Sequence, residues 1–304
     1  MNLMQVIINS LITSAELGLI AIGLSMTFAI LRFANFAHVE AAVMGAYLSF
    51  LFNVVFGWSL FLSAVIAIAL MGGVGCLFYR YIFKRVAGTG DITPMIVSLG
   101  LAIAIRGGLQ AIWGPQHKMY DYEILPGNII FGAFVTFPQI GILITAVLAM
   151  LGFYVLLQFS RIGKAMRATS ANVELAQACS IDTEKVILLV WFLGTAFAAL
   201  GGIMLAWDTQ IDPYLGFNLV IPIFCTVLIG GVGSIHGAII GAMIVGFAQN
   251  FGLALNFAPL IGLFGLIDVP ADISLPSAYK PAITYLAVVL LLLIRPTGIT
   301  KKEL

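Results

Sequence analysis

Apolar residues run along this chain in blocks long enough to cross a lipid bilayer, and the short segments between them carry most of the charge. A hydrocarbon core about 30 Å thick needs about 20 mainly apolar residues in a helix. About nine blocks meet or approach that length. They are Val6 to Leu31, Val39 to Phe56, Ser59 to Tyr79, Met95 to Trp113, Pro138 to Phe159, Val186 to Trp207, Leu219 to Val232, His236 to Leu255 and Tyr279 to Ile294. The pattern predicts an all-α polytopic membrane protein with about nine transmembrane helices, within a range of about eight to ten. The seventh and ninth blocks are short, and a short or Gly-interrupted span is tolerated only where protein or a polar path covers the broken backbone. No Lys or Arg precedes the first block and no small-residue cleavage pattern follows it, so it reads as a retained helix rather than a signal peptide.

Composition agrees and sharpens the class. Of 304 residues, 62% are apolar and 9% charged, against roughly a quarter charged in a soluble domain. Lys and Arg number 14 against 13 Asp and Glu, a formal net charge of +1, so there is no bulk basic surface for nucleic acid. Cys76, Cys179 and Cys225 are too dispersed for a disulfide framework or a zinc site and read as small buried hydrophobes.

Charge placement fixes an orientation. Arg32, Arg80, Lys84, Arg85, Arg161, Lys164, Arg167, Lys185, Arg295, Lys301 and Lys302 fall at one membrane face, while Lys118, Lys280 and the acids Asp121, Glu123, Asp208, Asp212, Asp268 and Asp272 fall at the other. The positive-inside rule makes the first face cytoplasmic, with the C-terminus inside and, for an odd span count, the N-terminus outside. The longest outer loops, about 114 to 137 and 256 to 278, are too small to fold alone. The chain therefore reads as a single transmembrane domain over residues 1 to 304, with no soluble catalytic or nucleotide-binding module.

Four features carry candidate chemistry. Between Arg161 and Asp182 the mixture of basic, small and apolar residues suits a short surface helix, a turn and a second short helix, built either to contact a partner or to lie on the membrane surface. The turn from Arg32 to Glu40 packs Asn35, His38 and Glu40 between two apolar blocks; these either line a polar path or cap a helix, Asn35 as N-cap and Glu40 near the positive end of the dipole. Glu16 and Arg106 are the charges set deepest in spans, and they are expected to pair across the bundle or line its cavity, with Arg106 also able to snorkel outward. Gly230, Gly231, Gly233, Gly237 and Gly241 mark a tight helix-to-helix turn with Ser234 inside it, and the string lacks the Lys-Ser/Thr of a phosphate loop. Gly88 to Asp91 and Tyr120–Asp121 imitate an intramembrane aspartyl protease, but their order is reversed and Asp91 follows a basic cluster. No zinc-protease or serine-hydrolase motif occurs, and His38, His117 and His236 lack metal-site spacing.

Taken together, four strings resemble the permease subunits of bacterial ABC importers for branched-chain amino acids, of the Liv type, over essentially the full length. They are Gly23 to Glu40 (GLSMTFAILRFANFAHVE), Gly163 to Ala168 (GKAMRA) with Asn172, Leu228 to Ser234 (LIGGVGS) with Gly237 to Gly241 (GAIIG), and Arg295 to Ile299 (RPTGI). The resemblance implies a non-catalytic, multi-pass subunit of the inner membrane that forms the substrate pathway. It would pair with a second, paralogous permease subunit, two cytoplasmic ATPases that bind ATP and Mg, and a periplasmic substrate-binding protein. It also implies that the segment from about 161 to 185 is the ATPase-coupling element. There Arg161, Lys164 and Arg167 would face the ATPase, Ala165, Met166 and Ala168 would sit in its groove, and Gly163, Asn172 and Glu174 would complete the motif. Glu16, Asn35, His38, Glu40 and Arg106 are the candidate pathway residues. The sequence departs from the family pattern at Val39 and Ser180, where glycine is common, and at His236, where proline is frequent. The same strings occur in permeases for urea and short amides, so the substrate stays open between these classes. An ATP-independent carrier or channel and an intramembrane transferase are the competing classes. The coupling-like segment argues against the former, and the lack of a clustered acid or phosphate site against the latter.

Overall fold

The computed structural model describes residues 2–123, 126–130, 132–255, 276, 279–295 and 298–300. Nine apolar helices appear among them where nine blocks were expected. They are α1 (Leu3–Leu31), α2 (Ala37–Phe50), α3 (Leu60–Phe78), α4 (Ile92–Trp113), α5 (Phe137–Phe159), α8 (Thr183–Asp208), α9 (Leu215–Gly230), α10 (Ile235–Ala254) and α11 (Lys280–Ile294). Two short helices, α6 (Arg161–Ala171) and α7 (Val173–Ala178), lie between α5 and α8. Seven of the spans are long and apolar enough to cross a membrane, and α9 and α11 are shorter. The chain is a multi-pass membrane protein. Asp268, Asp272, Lys301, Lys302 and most of the second outer loop lie outside the described residues.

Two helices run on through π-helical turns, α2 through Leu51–Val55 and α3 through Tyr79–Phe83. The first has a visible use. It sets Asn53 to donate to the carbonyls of Trp58 and Asp121, at 2.9 and 3.1 Å, and to accept from the Asp121 N–H at 2.7 Å, which ties the loop after α4 to α2. That loop departs from the all-α expectation. Strands β1 (Asn128–Ile130) and β2 (Ala133–Val135) form a small antiparallel hairpin, and Asn2 and Gln5 at the start of α1 bond to it. The N-terminus therefore sits at the end of the bundle that carries this loop.

The bundle is built around α1, which packs between α8 and α10 and is buried over most of its length. Apolar helices gain little from the hydrophobic effect when lipid is the alternative, so close packing through small residues must hold them. The α2–α8 contact shows this: Gly45 lies against Ala199 and Gly202 against the backbone of Ala42, positions where a side chain would force the helices apart. By contrast, α4 and α5 are only 17% and 22% buried over their most apolar windows. They form the periphery.

A mid-membrane helix start and its charged pair

The turn from Arg32 to Phe36 does not stay at the end of α1. Arg32 closes α1 in the left-handed region (φ 57°), its N–H donating to the Phe28 carbonyl at 2.9 Å, and the chain then climbs back along the bundle. Two bonds fix how far. His38 Nε2 lies 3.2 Å from the Ile20 carbonyl, about three turns or 16 Å before the end of α1. The Phe36 N–H donates to Ser98 Oγ at 3.1 Å, and Ser98 lies about two turns into α4. The start of α2 is thus buried near the middle of the bundle. Asn35 is not its N-cap: the cap position is Phe36, without a side-chain cap, and Asn35 is 2% exposed with no partner for Oδ1 among the described residues.

Glu40, in the first turn of α2, is fully buried and pairs with Arg106 of α4, whose Nε and Nη2 both donate to Oε1. Of the alternatives expected for Arg106, it lines a cavity, and its partner is Glu40 rather than Glu16. Glu40 lies at the positive end of a helix dipole, where a carboxylate is favoured, and Arg106 lies 4.9 Å over the Phe217 ring. Gly216, at the start of α9, packs directly against the Glu40 carboxylate. A cavity of about 430 Å³ opens beside the pair, lined by Phe36, Ala102, Arg106, Phe217, Val220 and Tyr285. Phe36, which stacks on Phe224 at 4.9 Å, and Phe217 were missed by sequence reasoning because neither differs in type from the surrounding apolar residues.

Glu16 belongs to a different space. It is 6% exposed, its Oε1 has no partner among the described residues, and it lines a separate cavity of about 210 Å³ with Asp208 and Lys280. His38 is wedged between α1 and α8 beside Gly23 and is 1% exposed, with no contact to either cavity.

The segment after α5 is the expected pair of short helices. Ser160 caps α6, accepting from the Gly163 N–H at 2.9 Å, and Asn172 ends α6 and caps α7, accepting from the Leu175 N–H at 3.0 Å. The expected orientation of α6 is corrected. Met166 is 1% exposed and sits in the core with Phe153, Leu157 and Val186. Ala165 packs on the same core, Ala168 is half-buried, Gly163 is pressed onto the Leu157 carbonyl, and Arg167 donates to that carbonyl. The outward face instead carries Arg161, Ile162, Lys164, Glu174 and Leu175. Cys179 is exposed and Cys76 half-buried, so only Cys225 is the buried hydrophobe expected of all three.

The Gly-rich turn is as expected. Gly230 ends α9, Gly231 and Gly233 take φ of 104° and 83°, and Ser234 caps α10 by accepting from the Gly237 N–H at 3.0 Å. The C-terminal Ile299 and Thr300 donate to the carbonyls of Ile229 and Gly230, so the end of the described chain docks onto this turn.

Residues 6–294 match the family described as branched-chain amino acid transport system / permease component. The high-affinity branched-chain amino acid transport system permease protein LivH of Escherichia coli (strain K12) is 28% identical over 310 residues, covering 97% of this chain and 94% of that protein. BraD, of the same description, from Pseudomonas aeruginosa is 28% identical over 311 residues, 97% of this chain and 95% of its own. A probable branched-chain amino acid transport permease protein LivH of Methanocaldococcus jannaschii is 28% identical over 301 residues, 96% and 90% of the two chains. The match runs through the mid-membrane start of α2, the elbow of α6 and α7 and the Gly-rich turn alike, and by it the chain belongs to the family of branched-chain amino acid transport system permease components.

Proposed function

We propose that this chain is the membrane permease subunit of an ATP-driven importer for branched-chain or related amino acids, and that the buried start of α2 borders its substrate path. The observation that carries this is a helix beginning in mid-bundle, with Glu40 and Arg106 paired beside an apolar cavity. Interrupted helices whose ends face a central cavity are a recurring way to place a polar site within a bilayer. An apolar cavity with a charged rim suits a substrate that is charged at one end and aliphatic at the other.

Energy would come from elsewhere. The chain carries no phosphate-binding loop, so ATP and Mg would bind to two partner ATPases at the cytoplasmic face. The elbow of α6 and α7 would transmit their closure through Arg161, Lys164, Glu174 and Leu175. Met166, Gly163 and Arg167 anchor that elbow to α5 and α8, so a push on it reaches the spans directly. Binding of ATP must bias an equilibrium between outward- and inward-open states, and a loaded binding protein must favour one of them. In this reading the C-terminus is cytoplasmic, the N-terminus and the β-hairpin are periplasmic, and a second permease subunit completes the path.

The test is leucine uptake in proteoliposomes holding this chain, its co-purifying subunits and the binding protein, comparing wild type with Lys164→Glu/Leu175→Ala. The expected result is ATP-dependent uptake that the double variant loses while the chain still inserts. Uptake by the chain alone without nucleotide, unaffected by the double variant, would overturn the reading. ATP hydrolysis stimulated by urea or a short amide in place of leucine would keep the role and replace the substrate.

A further inference from the structure

The cavity around Glu16 is built differently from the one beside Arg106, and the difference points to a ligand. Glu16 lies about 20 Å from the start of α1, one turn before Ile20, whose carbonyl meets the His38 ring. Its neighbours on the cavity wall are Asp208 from the end of α8 and Lys280 from the start of α11, with Thr13 and Gln249 also facing the space. Two carboxylates therefore meet one ammonium group, and no ion pair joins Glu16 or Asp208 to Lys280 within 4.0 Å among the described residues. The rest of the lining is largely aliphatic: Leu17, Ile20, Leu205, Leu219 and Pro222. A second, mostly polar cavity of about 180 Å³, lined by Asn9, Gln139 and Asn250, shares Thr13, Asp208 and Lys280 with the first. It continues the polar surface toward the end of the bundle that holds the N-terminus and the β-hairpin.

A buried carboxylate oxygen without a donor is costly, and a polar atom left so in a native fold calls for a partner. Glu40 meets that demand at Oε1 through Arg106 and keeps Oε2 without a donor among the described residues. Glu16 Oε1 is likewise without a donor and, unlike Glu40, Glu16 has no cation within 4.0 Å among the described residues. We propose that the Glu16 cavity is a binding site for a zwitterionic aliphatic amino acid within this single subunit. The α-ammonium would lie between the Glu16 and Asp208 carboxylates, the α-carboxylate toward Lys280, and the side chain against Leu17, Ile20 and Leu219. The proposal rests on the amino-acid reading above and adds a site that the Arg106 cavity does not supply.

The test is equilibrium binding of radiolabelled leucine to the intact transporter complex in lipid nanodiscs, with neither binding protein nor nucleotide. Saturable binding to wild type is expected, weakened by about tenfold or more in Glu16→Gln and largely retained in Glu16→Asp. On wild type, 3-methylbutylamine should compete and 4-methylpentanoate should not, because recognition centres on the ammonium group. Three results would overturn the site: equal binding by wild type and Glu16→Gln, competition by the acid but not the amine, or displacement of leucine by sodium alone, which would mark a simple cation site. If Glu16→Gln fails to assemble, the competition series on wild type decides by itself. Uptake separates this failure from the other: a wild-type complex that imports leucine while binding is indifferent to Glu16 refutes the site alone, whereas no ATP-driven uptake of any aliphatic amino acid refutes the function with it.

Discussion

The middle of the bundle and the end that carries α6 and α7 hold ion pairs under opposite conditions. Glu40 and Arg106 meet where Glu40 is 0% exposed and Arg106 19%. Lys84 and Glu184 join the end of α3 to the start of α8 with side chains 48% and 58% exposed, and Lys185 meets Asp182 at 2.9 Å beside them, more exposed still. Water screens the latter pairs and long side chains lose entropy in making them, so they add little to stability. In the middle, the alternative to pairing is a bare charge in a low-dielectric interior. An acid–base pair therefore acts as a fixed structural joint at one level and as an almost free decoration at another.

The largest effect expected from this contrast is at Arg106. Arg106→Ala leaves Glu40 buried and uncompensated, a loss of about 3 to 5 kcal/mol. Chain yield and the thermal unfolding midpoint in detergent should fall steeply. Glu40→Gln/Arg106→Gln should unfold closer to wild type than Arg106→Ala does, because it removes both charges at once. A double variant as damaged as the single would mean that shape, not charge, holds α2 and α4 together. Lys84→Ala, which removes the exposed pair, should shift the midpoint little by comparison.

The same contrast explains what was legible in the sequence. Span positions were, because bilayer thickness sets the length of an apolar block: α4 begins at Ile92 where Met95 was expected, and α5 at Phe137 where Pro138 was. The partner of Arg106 was not. Depth along a helix can be counted only once its start is placed, and nothing in the string Phe33 to Ala37 says that the chain climbs back along α1 before α2 begins. Asn35 has the right chemistry for a cap, and tertiary packing set the cap one residue later. The elbow's two helices could be read from the mixture of basic, small and apolar residues between Arg161 and Asp182. Which face of α6 turns inward could not, since Met166 suits a partner's groove as well as the protein's own core. Glu16, Asp208 and Lys280 were each visible as charges, but their meeting depends on how α1, α8 and α11 cross.

At the end of the bundle that carries α6 and α7, backbone strain should outweigh charge. Ser180 follows α7 with φ at 62°, the left-handed region that costs a residue with a Cβ about 1 to 2 kcal/mol. Glycine pays no such penalty there, which gives a physical reason for the glycine common at this position in the family pattern. Ser180→Gly should raise the unfolding midpoint by an amount corresponding to about 1 kcal/mol, reduced by the greater freedom of glycine in the unfolded chain. No gain, or a loss, would show that the Ser180 side chain contributes more than the turn costs.

The smallest effect belongs to Asp182, and its sign is fixed. Its carboxylate accepts from the Lys185 N–H at 3.1 Å, capping α8, and the Lys185 ammonium beside it holds its pKa below the ordinary value of 3.8. A carboxylate whose pKa is lower folded than unfolded stabilises the fold above its unfolded pKa and loses that contribution as pH falls through the folded value. Between pH 7 and 5 this group should therefore contribute no pH dependence. Asp182→Asn keeps a side-chain oxygen for the cap and removes only the charge. Its unfolding midpoint should lie slightly below wild type at pH 7, and the gap should narrow as pH falls below 3.8 toward the lower folded value, measured in detergent at constant ionic strength. Raising the salt concentration at pH 7 should narrow it as well, since exposed charges are screened within about 10 Å at 0.1 M. A gap at pH 7 as wide as that of Arg106→Ala would break the contrast between buried and exposed pairs, because it would assign to a solvated joint the weight that burial alone should confer.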